Sequence, residues 1–239
     1  MVQEEFLTKK CLENNIDSCN ELADLYYQGI AIKQDSIKAI EFYNKACIGG
    51  DYESCFHIGY LYHFGNKGVE QNLFKALNFY SKACQNNIRG ACENIELIDT
   101  KIRIAHYEEK CKVGDLKSCL ELGYIFSKGK KDTQNFFKAF ELYKKVCEEG
   151  ISAGCWNLGS LYEKGQGVKQ DNLKAAEQYS KACEGGNPFG CLSLGTMFGY
   201  GNGVAQNYNK ALQYYGRACD LKEQLGCDAY SKLKQKLNQ

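Results

Sequence analysis

Between residues 155 and 162 the apolar and small positions fall at i, i+3, i+4 and i+7: Cys155, Leu158, Gly159 and Tyr162, with Leu161 beside them. That spacing lays one stripe along an α-helix and leaves its polar residues on the other side. Gly165, ten residues after Cys155, is placed to end this helix, because glycine enters the left-handed region without a Cβ clash. A short loop follows. Asp171 then offers a side-chain oxygen to the free N–H groups of a new first turn. The second stripe runs through Ala175, Tyr179, Ala182 and Cys183. One helix pair is thus legible in about 30 residues.

The same pattern recurs along the chain. Four residues after the cysteine stand Ala23, Gly59, Gly123, Gly159 and Gly195, small enough to let the facing helix backbone approach. Ten after it stand Gly29, Gly65, Gly129, Gly165 and Gly201 as helix stops. Twelve before the next cysteine come the N-caps Asp35, Asn72, Asn135, Asp171 and Asn207. Four before that cysteine comes a tyrosine, at 43, 80, 107, 143, 179 and 215, read as core with its hydroxyl reaching a partner. A period near 36 residues means stacked repeats, each packing on its neighbours.

The cysteines mark the joints. They form seven pairs eight residues apart: Cys11/Cys19, Cys47/Cys55, Cys84/Cys92, Cys111/Cys119, Cys147/Cys155, Cys183/Cys191 and Cys219/Cys227. Three residues past the first member lie Asn14, Gly50, Asn87, Gly114, Gly150 and Gly186, so a pair spans a helix end, a turn and the next helix start. That geometry brings two Cα atoms within bridging distance. Zinc is the competing account. It has no Cys-x2-Cys or Cys-x2-His spacing and only three histidines to draw on, so seven local disulfides are expected and no metal or cofactor.

Fourteen cysteines with none left over point to an oxidising compartment. The chain is therefore expected to be secreted or periplasmic. Its first ten residues do not read as a signal peptide, so a leader is expected to have been removed. Thirty Lys and Arg against 29 Asp and Glu give no field pointing to nucleic acid or an anionic membrane. No apolar run approaches a membrane span.

The motif Cys-x-x-Leu-Gly-x-Leu-Tyr-x-x-Gly-x-Gly-Val, followed by Lys-Ala-x-x-x-Tyr-x-Lys-Ala-Cys, resembles the Sel-like repeat family. With a cysteine pair in each unit it is similar to the Helicobacter cysteine-rich branch of that family. The resemblance implies an all-α fold: an α/α solenoid of about six helix pairs in a right-handed superhelix, one helix of each pair lining a concave groove. It also implies an interaction scaffold, here expected to act as a monomer on a peptide or protein. Some members of the cysteine-rich branch are described as penicillin-binding proteins or weak β-lactamases, and a structural spacer is the third reading.

The pattern breaks between Cys92 and Cys111, where nine residues are missing. Asp99 keeps the N-cap register and Tyr107 the tyrosine register. Either the chain turns at Asp99-Thr100, or one long helix runs through to Lys110. Two blocks are expected, 1–98 and 99–239, with residues 4–11 as an orphan second helix. A closing helix over 227–237 should turn Tyr230, Leu233 and Leu237 inward.

Catalytic motifs are sparse, and no catalytic residue is assigned. Ser127-Lys-Gly-Lys130 and Ser231-Lys-Leu-Lys234 match Ser-x-x-Lys, but neither Ser-Asp-Asn nor Lys-Thr-Gly accompanies them, which favours a scaffold over an enzyme. What varies within the fixed frame is the first helix, two, five and nine residues after its cysteine. Tyr60, Tyr124, Asn157 and Tyr200 occupy such positions. They are the candidate binding residues, on the face that the resemblance places in the groove.

Overall fold

A computed structural model describes residues 2–130 and 133–238, with the side chain of Val2 left aside. Among these residues there are thirteen α-helices and no strand beyond a single bridge pair, Asn66 with Val69. The chain is an all-α solenoid of helix pairs. It divides into two compact units, residues 1–102 and 103–239.

The first helix of the first unit is α1 (Val2–Leu12). Two pairs follow: α2 (Ile16–Gln28) with α3 (Ser36–Ile48), and α4 (Tyr52–Phe64) with α5 (Leu73–Gln85). Then comes α6 (Arg89–Lys112), one uninterrupted helix of 24 residues. Of the two conformations open to the shortened repeat, the chain takes the long helix. Asp99, in register for an N-cap, lies inside α6 and caps nothing. Removing the Gly-x-Gly-Val loop leaves no residue that stops a helix, and an exposed Asp within one costs only several tenths of a kcal/mol. Ala91 and Ile98 of α6 are buried in the core of the first unit.

The second unit takes Ile104 and Tyr107 from the rest of α6 as partners of its own core. Its pairs are α7 (Leu116–Lys128) with α8 (Phe136–Glu148), α9 (Ser152–Lys164) with α10 (Asn172–Glu184), and α11 (Pro188–Tyr200) with α12 (Tyr208–Asp220). The closing helix is α13 (Gln224–Leu237). Tyr230 and Leu233 are half-buried, whereas Leu237, expected inward, is 43% exposed at the last turn of the helix.

The same contacts build every full pair. Asp35, Asn72, Asn135, Asp171 and Asn207 each accept a first-turn N–H, three residues on, at 2.9–3.1 Å. The lysines whose N–H groups they accept, Lys38, Lys75, Lys138, Lys174 and Lys210, lie over the rings of Tyr26, Tyr62, Phe126, Tyr162 and Phe198 at 4.9–5.6 Å. Each such cation–π contact contributes roughly 0.5–1 kcal/mol at an exposed site. One residue before each cap stands a glutamine. Gln34, Gln71, Gln134, Gln170 and Gln206 donate to the carbonyls of Tyr27, His63, Ser127, Glu163 and Gly199, orphan acceptors at the end of the preceding helix.

Close packing explains the small residues. A Cβ on Gly59, Gly123, Gly159 or Gly195 would stand 2.6–2.7 Å from the ring of Tyr80, Tyr143, Tyr179 or Tyr215. The gap thus admits a tyrosine ring rather than only a backbone. Gly129, expected in the left-handed region, has φ −57° instead. It is glycine for want of room, since a Cβ would collide with Thr133 Oγ1 and meet the Ile125 carbonyl at 2.8 Å. Loops of one pair rest on the helix starts of the pair before, as Gly68 does on Ile37 and Gly167 on Phe136 and Phe137. The shortened repeat brings no such loop, and Phe74 at the start of α5 is 88% exposed.

Seven disulfides join the cysteines in neighbouring pairs: Cys11–Cys19, Cys47–Cys55, Cys84–Cys92, Cys111–Cys119, Cys147–Cys155, Cys183–Cys191 and Cys219–Cys227. Their Cα separations are 4.5–5.0 Å, and no cysteine among the described residues is free. Each turn needs a left-handed residue, supplied by Asn14, Gly50, Asn87, Gly114, Gly150, Gly186 and, at the last joint, Lys222. Closing so short a loop contributes roughly 2–3 kcal/mol each.

Candidate functional site

The candidate face is built by the first helix of each pair, and its chemistry follows from where the buried tyrosines send their hydroxyls. Tyr43 donates to Asp24, and Tyr179 to Glu163 at 2.7 Å. Tyr143 pairs with Ser127 Oγ at 3.1 Å, Tyr80 with His63 Nδ1 at 3.5 Å, and Tyr215 donates to Thr196 at 3.4 Å. Burial raises the pKa of Tyr43, Tyr80 and Tyr179, and the carboxylates on Tyr43 and Tyr179 raise it further. Tyr143 is pushed up to about 12 by burial, against the opposing pull of the Ser127 hydrogen bond. All four are neutral hydrogen-bonding groups at physiological pH.

These tethers sort the variable positions. The partner sits five residues after the cysteine in Asp24 and Thr196, and eight after it in His63, Ser127 and Glu163. Where position five is itself a tyrosine, as Tyr60 and Tyr124 are, the tether moves to position eight. Tyr60 is 42% exposed and Tyr124 53% exposed, so both are free of that structural task. Sequence reading grouped all position-five residues as one face. It missed that Asp24 and Thr196 bind core tyrosines, although a polar residue at five or eight after the cysteine, matched to a tyrosine of the second helix, would have signalled it.

The four expected binding residues are distributed as follows. Tyr60 belongs to the first unit, where its ring lies 4.6 Å from that of Phe64, itself 53% exposed. Tyr124, Asn157 and Tyr200 belong to the second unit. Tyr200 is 79% exposed. Asn157 is half-buried, and its Nδ2 donates to the Ala153 carbonyl of its own helix at 3.0 Å, leaving Oδ1 as the group to accept.

The cysteines singled out as bridge residues are no part of this face. Cys19, Cys55, Cys119 and Cys191 each begin the apolar stripe of a first helix, and that stripe turns them into the hydrophobic core. Standing beside a turn does not expose them: Cys55, Cys119 and Cys191 are fully buried, and Cys19 is 3% exposed. The sulfurs of Cys19, Cys119 and Cys191 lie 3.6–3.7 Å from the carbonyl oxygens of Cys11, Cys111 and Cys183, their own bridge partners. All four therefore hold helices together and offer a ligand neither a thiol nor a contact surface.

The two serines of the Ser-x-x-Lys matches differ in setting. Ser127 Oγ is engaged by the Tyr143 hydroxyl and by the Tyr124 carbonyl at 3.0 Å. Ser231 is exposed on the closing helix. Among the described residues no group of three or more His, Cys, Asp or Glu is arranged to hold a metal ion, and no helix is long and apolar enough to cross a membrane.

Antiparallel helix pairs stacked in series, with a disulfide at each joint, define an α/α repeat scaffold. The Sel1 repeat family matches five stretches, residues 16–51, 53–88, 116–151, 152–187 and 188–223, and the chain belongs to that family. The gap between the second and third matches is the region of α6. Among solved structures, c5321, a protective antigen of uropathogenic Escherichia coli, shares the fold at TM-score 0.52 and 24% identity, covering 98% of this chain and 52% of that one. Cysteine-rich protein B of Helicobacter pylori is 35% identical over 54% of this chain and 93% of its own, at TM-score 0.45. A curated relative, cytochrome c oxidase assembly factor 7 of Xenopus tropicalis, is 29% identical over 129 residues. That alignment spans 53% of this chain and 44% of the relative.

Proposed function

We propose that the chain is an extracytoplasmic scaffold that binds a peptide or protein segment on the concave face formed by its first helices, acting as a monomer. The observation that carries this reading is the division of labour among the variable positions. Tyr60 and Tyr124 are large, exposed and relieved of tethering, on a frame otherwise fixed by disulfides, caps and cation–π contacts. Exposed aromatic side chains on a rigid surface are the groups that most often dominate recognition. The disulfides support the location, because such bonds persist in oxidising compartments and not in reducing ones.

Capture of partners from a periplasmic or secreted extract tests the reading. Tyr124→Ala is expected to weaken the captured interaction by roughly 1–2 kcal/mol with thermal unfolding unchanged. Asn157→Ala should weaken it too if Oδ1 accepts from the partner. Unaltered affinity in both would move the interface off this face. Nitrocefin turnover that is abolished by Ser127→Ala or Ser231→Ala in a folded protein would replace the scaffold with an enzyme.

A further inference from the structure

A cleft of about 520 Å³ opens in the second unit where the end of α11, the start of α12 and the closing helix α13 meet. Its depth has a local cause. Eight residues after the cysteine, the first helices α4, α7 and α9 carry His63, Ser127 and Glu163, which cover their tyrosines. The equivalent residue of α11 is Gly199. A Cβ there would stand 3.5 Å from the Tyr215 hydroxyl and 3.8 Å from Ala211 Cβ, ordinary contact distances, so the space above the tyrosine is simply left unfilled.

The walls give the cleft its chemistry. Tyr200, Leu225 and Leu233 supply apolar surface, with Tyr200 79% and Leu225 60% exposed. Lys232 and Lys236 line the same cleft, and Lys236 Nζ lies 5.7 Å from the centre of the Tyr208 ring. They sit five and nine residues after Cys227, the offsets that define the candidate face elsewhere. Neither lysine forms an ion pair among the described residues. The one lining carboxylate, Asp228, accepts from Gln224 Nε2 at 2.9 Å. The cleft therefore combines an apolar hollow with one net positive charge. Both lysines are exposed, so their attraction for an anion is that of surface charges and weakens as salt is added.

We propose that this cleft anchors an internal peptide segment in which a large apolar side chain is flanked by acidic residues. The apolar side chain enters above Gly199, between Tyr200 and Leu233, and the flanking carboxylates pair with Lys232 and Lys236. This rests on the reading of the first-helix face as the binding face and names the class of segment that its last stretch selects.

The probe is acetyl-Gly-Glu-Phe-Glu-Gly-amide, blocked at both ends so that its only carboxylates are on side chains. It is titrated into the intact oxidised chain by calorimetry, with backbone amide shifts followed by NMR. Saturable binding is expected, with shifts confined to residues around 199, 229 and 232. Replacing both glutamates of the probe by glutamine should weaken it about tenfold or more, the scale of a charged hydrogen bond. Gly199→Glu, which restores the residue type of Glu163, should fill the hollow, add a negative charge and weaken binding by at least about tenfold with an unchanged melting curve. Equal affinity for the glutamine analogue, undiminished binding by Gly199→Glu, or no saturable shift overturns the proposal. So does a glutamine analogue with a free C-terminus that binds as tightly as the blocked acidic probe, since the carboxylate would then be the chain end. Shifts at residues 124 and 157 without shifts at the cleft would remove the cleft proposal and leave the wider face standing.

Discussion

His63 shows how one side chain can be both structural and titratable. It is 2% exposed, its ring stacks on Phe64 at 4.2 Å, and its Nδ1 faces the Tyr80 hydroxyl. Burial lowers its pKa, and the charge of Lys101 lowers it further. The folded chain thus binds fewer protons at this site than the unfolded chain, in which histidine titrates near ~6.5. Stability is fully present above that value and declines as pH falls through it toward the lower folded pKa. Melting temperature measured from pH 7.5 to 5 is expected to fall, and His63→Gln should flatten that dependence. A variant that kept the same slope would place the titrating group elsewhere. Such tethers were only half legible in the sequence. The tyrosines stood out by their period, but their partners alternate between positions five and eight, and only the packed helices show which position serves.

At the scale of the element, ends were more legible than middles. The caps at 35, 72, 135, 171 and 207 fall where Asp and Asn recur, because a first-turn N–H needs an acceptor at that place. The glutamine before each cap was equally regular and was not read, since its role depends on a carbonyl seven or eight residues upstream. The shortened repeat stayed open for a different reason: Asp99 matches an N-cap by register, and register alone does not say whether the helix before it has stopped. One first helix departs from the rule at its own start. Ile151 occupies the N-cap of α9 with φ −80° and ψ 106°, and no side chain accepts there, whereas Asp51 and Asp115 do so in α4 and α7. Ile151→Asp is expected to raise unfolding free energy by about 1 kcal/mol, read from denaturant midpoints at unchanged slope. An unchanged midpoint would mean that the half-exposed isoleucine contributes as much by packing as a cap does by hydrogen bonding.

For the whole molecule, the disulfides decide how stability is distributed. A stacked repeat has no central core, so each joint contributes locally and its loss is felt mainly by its neighbours. Ten of the cysteines, Cys19, Cys55, Cys119 and Cys191 among them, are buried with exposures of 7% or less, while Cys84, Cys92, Cys219 and Cys227 are half-buried. Of the two half-buried bridges, one lies at the start of α6, beside the shortened repeat, and the other at the closing helix. A thiolate reductant must reach a sulfur in line, so accessible bridges exchange first. With limiting dithiothreitol under native conditions, followed by alkylation and peptide mapping, label is expected first on those four half-buried cysteines. The five buried bridges should resist until local unfolding exposes them. Each bridge lost should lower unfolding free energy by roughly 2–3 kcal/mol, so the doubly reduced form should still be folded but melt earlier. Simultaneous labelling of all fourteen cysteines would instead mean that the joints open together, and the chain would then be one cooperative unit rather than a series of coupled repeats.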